Sequence, residues 1–286
     1  MPIVKFSNVS YIYNQKTPLE FKALDDINLE INEGEFLALV GRTGCGKSTL
    51  IQHINSLLHP TLGEVQIYDY INVKKKRLRS KKNRDLRKNV GLVFQFPEYQ
   101  LFEENVEKDV AFGPMNFGLK EEEALKKAHE ALEKVGLNES FFKRSPFELS
   151  GGEKRRVAIA GILAIEPKLL IIDEPTAGLD PVGAAQVMEL FKKIHEDGTT
   201  IILVTHDMNL VLNYANRVVV MDNGKILKSC SPYELFKKDI SGYSLEEPNL
   251  VKLVRYIESK GISVDLEKYN SLEKVIDYMM ERKKHG

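Results

Sequence analysis

Three short segments place phosphate- and metal-handling groups at spacings that can act together. Gly41-Arg42-Thr43-Gly44-Cys45-Gly46-Lys47-Ser48, followed by Thr49, fits the pattern G-x-x-x-x-G-K-[ST]. The glycines let the backbone turn so that successive N–H groups face one anion. Lys47 supplies a cation for β- and γ-phosphates, and Ser48 offers a hydroxyl to Mg²⁺. A helix starting there adds its positive dipole end. The second segment, Leu169-Leu170-Ile171-Ile172-Asp173-Glu174, is an apolar run ending in two carboxylates. Asp173 can hold Mg²⁺ through a water, and Glu174 can polarise a water attacking the γ-phosphate as a general base. In the third, Leu149-Ser150-Gly151-Gly152-Glu153, Ser150 begins a helix and two glycines expose its backbone, which makes a second anion site. If the two helix ends do not face each other within one subunit, they call for a head-to-tail dimer with the nucleotide at the seam.

The elements that must hold these segments follow from periodicity. Residues Ile3–Val9 and Leu24–Ile31 alternate and predict antiparallel strands. Phe36–Val40, Leu169–Ile172, Thr200–Val204 and Val218–Met221 are unbroken apolar runs and predict buried strands, with Asn89–Phe94 as another. Helices are predicted from Lys47 to about Leu58, over Glu121–Val135, from Ser150 to about Ile165, and over Pro181–His195. Asp222-Asn223-Gly224-Lys225 predicts a hairpin turn. Strands alternating with helices argue for a parallel α/β sheet.

Composition shifts near Ile240. Ser241-Gly242-Tyr243-Ser244 reads as a linker, and Leu250–Ile257 and Leu272–Met280 as amphipathic helices flanking the apolar segment Ile262–Leu266. This tail is expected to form a small accessory unit, serving either subunit dimerisation or as a packed cap. The 286 residues carry 41 basic and 41 acidic side chains, so net charge gives no pull toward nucleic acid. Two cysteines, Cys45 and Cys230, are too few for a disulfide framework. No signal peptide is visible, and no apolar run approaches the roughly 20 residues needed to span a bilayer. Residues Val73–Lys88 hold ten Lys or Arg and one acid. That run reads as a solvated surface or, alternatively, as a contact for anionic lipid or nucleic acid; no aromatic residue interleaves with the charges, against single-strand binding.

The LSGGE segment, in order with the other two, resembles the ATP-binding-cassette (ABC) ATPase family. The resemblance covers about Ile3 to Phe236. It implies an α/β fold: a P-loop NTPase core sheet, an N-terminal antiparallel β subdomain, a helical subdomain at about 96–165, and an ABC domain ending near residue 240, before a C-terminal accessory domain over 241–286. The implied bound groups are ATP and Mg²⁺. Gln95 in Val93-Phe94-Gln95-Phe96 matches the glutamine that contacts Mg²⁺ and the membrane partner. Asp180 in Ala177-Gly178-Leu179-Asp180 matches the aspartate that reaches across the dimer, and His206 the histidine that contacts the γ-phosphate. By spacing, Tyr13 is expected to stack on adenine, with Tyr11 as rival. Lys47, Glu174 and His206 are the implied catalytic residues. Cys45 replaces the commoner serine and Glu153 the commoner glutamine; alkylation of Cys45 would make the ATPase sensitive to thiol reagents.

Within the family, Phe96-Pro97-Glu98-Tyr99-Gln100-Leu101-Phe102 and Val106-Glu107-Lys108-Asp109-Val110-Ala111-Phe112-Gly113-Pro114 resemble the ATPase subunits of energy-coupling factor transporters, the first segment resembling the second of two paralogues. That implies a heterodimer at the cytoplasmic face of the membrane, joined to a membrane-embedded coupling subunit and an exchangeable vitamin- or metal-binding membrane subunit. Glu98, Glu103 and Glu104 are expected to pair with arginines of the coupling partner. The alternatives are an ATPase of another importer class, or a soluble cassette acting on DNA or the ribosome. The latter usually carries two cassettes, a coiled-coil insertion or zinc motifs, and none is visible.

Overall fold

The computed structural model describes residues 2–73 and 80–285. In chain order the strands and helices are β1 (Pro2–Tyr13), β2 (Phe21–Asn32), β3 (Phe36–Gly41), α1 (Lys47–Ile54), β4 (Leu62–Ile67), β5 (Tyr70–Val73), α2 (Ser80–Asn89), β6 (Val90–Val93), α3 (Val106–Asn116), α4 (Glu121–Lys134) and α5 (Glu139–Phe142). Then come α6 (Gly151–Leu163), β7 (Leu169–Asp173), α7 (Pro181–Glu196), β8 (Thr200–Val204), α8 (Met208–Tyr214), β9 (Arg217–Asp222), β10 (Lys225–Cys230), α9 (Pro232–Phe236), α10 (Asn249–Ser259) and α11 (Leu272–His285).

The unbroken apolar runs form the centre of a six-stranded sheet of order β10-β9-β3-β8-β7-β6. The last five strands are parallel and β10 is antiparallel to β9. A parallel sheet is covered on both faces, so its strands need apolar side chains on both. Phe36, Leu170, Ile172, Ile201 and Leu203 face a helical layer, whereas Leu37, Leu39, Leu169, Ile171, Ile202 and Val204 face the opposite side. On that opposite side lie α1 and a second, antiparallel sheet of order β2-β1-β4-β5. The helical layer joins α3, α4 and α6 with α7 through Val110, Ala128, Leu132, Val157 and Phe191.

Some elements differ from expectation. Helix α1 stops at Ile54 rather than near Leu58, because Asn55 closes it and Ser56 takes a left-handed φ of 54°. Strands β4 and β5 and helix α3 were not anticipated. Four of the six residues of β4 are exposed, and α3 carries Pro114 within its last turn. The C-terminal helices share one core with the main sheet: Val251, Val254, Leu266 and Val275 pack with Ala38, Val40, Val218 and Val220. Residues 74–79 of the basic run lie outside the described residues; Val73 ends β5 and residues 80–88 belong to α2, whose Leu86 is fully buried. Among the described residues, no helix is long and apolar enough to cross a membrane.

Helix α1 also buries a titratable group. His53 is fully buried, its Nδ1–H donates to the Thr49 carbonyl at 2.7 Å, and Nε2 has no hydrogen-bond partner among the described residues. Burial pushes its pKa from 6.5 down to about 4, with the nearby His59 adding to the shift and the Thr49 carbonyl opposing it. The unfolded chain therefore takes up a proton at a pH where the folded chain does not. Stability is expected to fall as pH drops from about 6.5 toward 4, by about 2 kcal/mol between pH 7 and pH 5 from this group alone. Urea midpoints for the protein and for His53→Gln at both pH values check this; an equal acid loss in the two would contradict it.

Candidate functional site: the phosphate-loop cavity

The loop between β3 and α1 is shaped by backbone that only glycine accommodates. Gly41 has φ +146° and a Cβ there would lie 2.2 Å from the Met221 carbonyl oxygen. Gly46 has φ +109° and its Cβ would lie 2.5 Å from the Ala23 carbonyl oxygen. Gly46 is also the N-cap of α1, so the helix opens directly behind the loop with its free N–H groups forward. Lys47 Nζ donates to the carbonyls of Gly41 at 2.7 Å and Arg42 at 3.0 Å, which holds the cation over the loop.

Strand β7 delivers the two carboxylates to the same place. A cavity of about 470 Å³ is lined by Thr43, Gly44, Gly46, Lys47, Ser48 and Thr49 of the loop, by Gln95, Asp173, Glu174 and His206, and by Phe21 and Ala23. Burial and then the Glu174 charge raise the Asp173 pKa, while Lys47 opposes them. Glu174 adopts φ 48°, a strained value for a side chain of its size, and its N–H bonds the Val204 carbonyl at 2.9 Å. His206 follows β8; its Nδ1 donates to Glu174 Oε1 at 2.8 Å while its side chain stays 81% exposed. The strained backbone thus aims Glu174 into the cavity, and His206 holds its carboxylate.

Thr49 accepts or donates a hydrogen bond to the Tyr13 hydroxyl at 3.2 Å. Tyr11 packs edge-on between Tyr13, with ring centroids 4.7 Å apart, and His53, at 4.9 Å; neither tyrosine lines the cavity itself, which Tyr13 approaches through Thr49. Phe21, paired with Tyr13 in the β1–β2 ladder and exposed on the cavity wall, is an aromatic that sequence reasoning missed. No local signal marked it, since the register of the hairpin is not written in Phe21's neighbours. Also missed was the approach of the C-terminal segment. Arg42 donates to the Ser244 hydroxyl, and Ser244–Glu247 share a second cavity with Arg42, Lys47, Glu174 and His206.

Ser150, Gly151, Gly152 and Asp180 do not line the phosphate-loop cavity of their own chain. Ser150, Gly151 and Gly152 are exposed at the N-terminus of α6. Ser150 and Glu153 form a capping box, with Ser150 N–H donating to Glu153 Oε2 at 2.8 Å. That bond, with the Ser150 hydroxyl, holds the Glu153 carboxyl below the usual range. Asp180 caps α7 through the Gly183 N–H at 2.7 Å.

Two expectations are corrected. Cys45 is only 4% exposed, and burial pushes its thiol pKa up, so the thiolate on which maleimide sensitivity depends is neither accessible nor favoured. Glu98 is committed within the chain, where it pairs with Arg155 of α6 and does not present a free carboxylate. Glu104 pairs with Lys108, though it remains exposed.

A nucleotide-binding loop, an acidic strand end and a helix-borne LSGG end on a sheet of this order define an ATP-binding cassette, and the chain belongs to the ABC transporter family, whose model matches residues 24–177. Within that family it groups with energy-coupling factor transporter ATP-binding proteins. It is 50% identical to EcfA2 of Streptococcus pneumoniae serotype 2 over 91% of this chain and 93% of the relative. It is 48% identical to EcfA2 of Spiroplasma kunkelii over 99% of this chain and 94% of that relative. Among solved structures it resembles cbiO1 of Clostridium perfringens, described as part of the ABC transporter complex cbiONQ. That match has a TM-score of 0.73 at 39% identity, covering 89% of this chain and 99% of cbiO1. It also resembles the cassette MJ0796 in a dimeric post-hydrolysis state with ADP and phosphate, with a TM-score of 0.69 at 34% identity over 80% of this chain and 98% of that one.

Proposed function

We propose that this chain is the ATP-hydrolysing subunit of an energy-coupling factor transporter. It works at the cytoplasmic face of the membrane, paired with a paralogous ATPase and docked on a membrane-embedded coupling subunit, which in turn carries a substrate-binding membrane subunit. The observation that carries this reading is the division of the site. Lys47, Ser48, Asp173, Glu174 and His206 converge on one cavity, while the Ser150 helix end is exposed elsewhere. Such a chain can complete its ATP site only with the helix end of a second cassette.

Each residue then has a task. The loop amides, Gly41 to Gly46, and Lys47 bind the β- and γ-phosphates, with Arg42, Thr43, Gly44 and Cys45 shaping the cradle and Thr49 closing its base. Tyr13, with Phe21 beside it, offers the adenine a stacking face. Ser48, Asp173 and Gln95 form an all-oxygen donor set that suits a hard cation, and Asp173 is a half-buried, partly desolvated carboxyl that a divalent cation would relieve. Mg²⁺ held there would neutralise charge on the phosphates. Glu174 takes the proton of the attacking water, and His206 orients Glu174 and reaches the γ-phosphate. Across the seam, Ser150, Gly151 and Gly152 present N–H groups to the partner's γ-phosphate, and Asp180 borders the same seam. Closure on ATP and reopening after hydrolysis move the membrane partner.

The docking face is proposed at residues 94–104. Phe94, Phe96, Tyr99 and Phe102 are exposed there, with Phe112 edge-on to Phe102 at 4.8 Å. Exposed apolar clusters of this kind mark interaction sites. Purifying the tagged chain from detergent-solubilised native membranes and identifying its companions by mass spectrometry tests the reading. A paralogous ATPase and a multi-span subunit are expected. Ribosomal proteins or DNA without a membrane partner would contradict it.

A further inference from the structure

Arg155 lies on the first turns of α6, just past the Ser150 cap, and is 3% exposed. Its guanidinium forks onto Glu98: Nε donates to Oε2 at 3.1 Å and Nη2 to Oε1 at 3.2 Å. The third nitrogen, Nη1, donates to the carbonyls of Ala177 at 3.0 Å and Pro175 at 3.3 Å. The Phe96 ring lies 5.8 Å from the guanidinium carbon. One side chain therefore joins three segments: the 3-10 turn Pro97–Gln100 after Gln95, the helix that begins at Ser150, and the loop between Glu174 and Asp180.

We propose that the Arg155–Glu98 fork is the positioning link that carries movement of the 94–104 surface to the Ser150 helix end and to the loop after Glu174. The inference rests on the docking reading above. A planar, bidentate pair resists both translation and twist, which a single flexible contact does not. Its arginine is buried and its carboxylate mostly so, which limits screening by salt. Without it, the segment from Phe96 to Gln100 could shift against α6 while Pro175 and Ala177 stayed in place. The amount of strain reaching the ATP site would then fall.

Glu98→Gln separates the two halves of the link. It keeps the shape of the side chain, weakens the fork, and leaves Arg155 on the Pro175 and Ala177 carbonyls. The test compares ATP hydrolysis by the isolated cassette chains with hydrolysis by the complex assembled with its membrane subunits. The isolated Glu98→Gln chains are expected to hydrolyse ATP within about twofold of the unaltered chains and the complex to assemble. The change in rate caused by the membrane subunits is expected to fall about tenfold, within the range by which residues in a coupling network alter communication between sites. Glu98→Asp, which keeps the charge but is too short to fork, guards against loss of folding and should act in the same direction. Arg155→Lys, which releases the two carbonyls as well, should lower the isolated rate too. Full membrane-subunit response in both Glu98 variants would overturn the inference and leave the proposed function standing; so would loss of assembly in Glu98→Gln, which would mark Glu98 as a docking residue. An unaltered chain that assembles with no membrane subunit would overturn the proposed function, and this inference with it.

Discussion

Glu174→Gln is expected to slow ATP hydrolysis by about a thousandfold while ATP binding is retained, the loss typical when a positioned general base is removed. The substitution is nearly isosteric. A glutamine carbonyl can still accept from His206 Nδ1, which now lies 2.8 Å from the carboxylate, so the local arrangement survives. What disappears is the group able to take a proton from water beside the γ-phosphate. Because Lys47 and Ser48 are untouched, the phosphates are expected still to bind, and ATP that cannot be split is expected to hold the proposed dimer closed. Phosphate release in steady state, with binding of a fluorescent ATP analogue in parallel, measures both parts. A loss of less than about tenfold would remove Glu174 from the chemistry.

Gly152→Asp is expected to reduce hydrolysis about a hundredfold without destabilising the chain, the loss typical when one preorganised donor is lost from a charged transition state. A Cβ at Gly152 meets no heavy atom of the described residues within 4 Å beyond its chain neighbours and its own helix backbone, so the fold has room for the side chain. A carboxylate in the first turn of α6 is also favourable to the helix dipole. The same carboxylate would occupy the positive helix end that the proposed dimer offers to a partner's phosphate, and it adds to the charge already supplied by Glu153. ATP binding to the separate chain should be unaffected, because Gly152 does not line that chain's own cavity. Thermal midpoint, nucleotide binding and hydrolysis distinguish this outcome. Unchanged hydrolysis would show that the helix end takes no part in the ATP site.

The legible parts of this molecule are those set by local spacing. Strand β8 coincides with the expected Thr200–Val204, and β7 extends the expected run by one residue, because an apolar run buried on both faces has little alternative. The phosphate loop, the acidic strand end and the LSGG helix each carry their chemistry within a few consecutive residues. What was not legible depends on pairing between distant segments. Phe21 joins the cavity through its register with Tyr13. Glu98 looked like a free docking charge because its partner, Arg155, is 57 residues away. Strands β4 and β5 take their place by pairing with β1, Val4 opposite Ile67, rather than from a pattern of their own. The tail after Ile240 has the amphipathic helices expected of it, but only the shared cluster with Ala38, Val40 and Val218 shows against what they pack.

The most direct measurement is an experimental structure of the Glu174→Gln chain, assembled with its paralogue and saturated with Mg-ATP. The account predicts ATP at a seam between two cassettes, with the γ-phosphate within hydrogen-bond distance of Lys47 Nζ of this chain and of the partner's LSGG helix end, and this chain's Ser150 at the second nucleotide. ATP enclosed by one chain, with the Ser150 helix end open to solvent and no second cassette across it, would contradict the account at its centre.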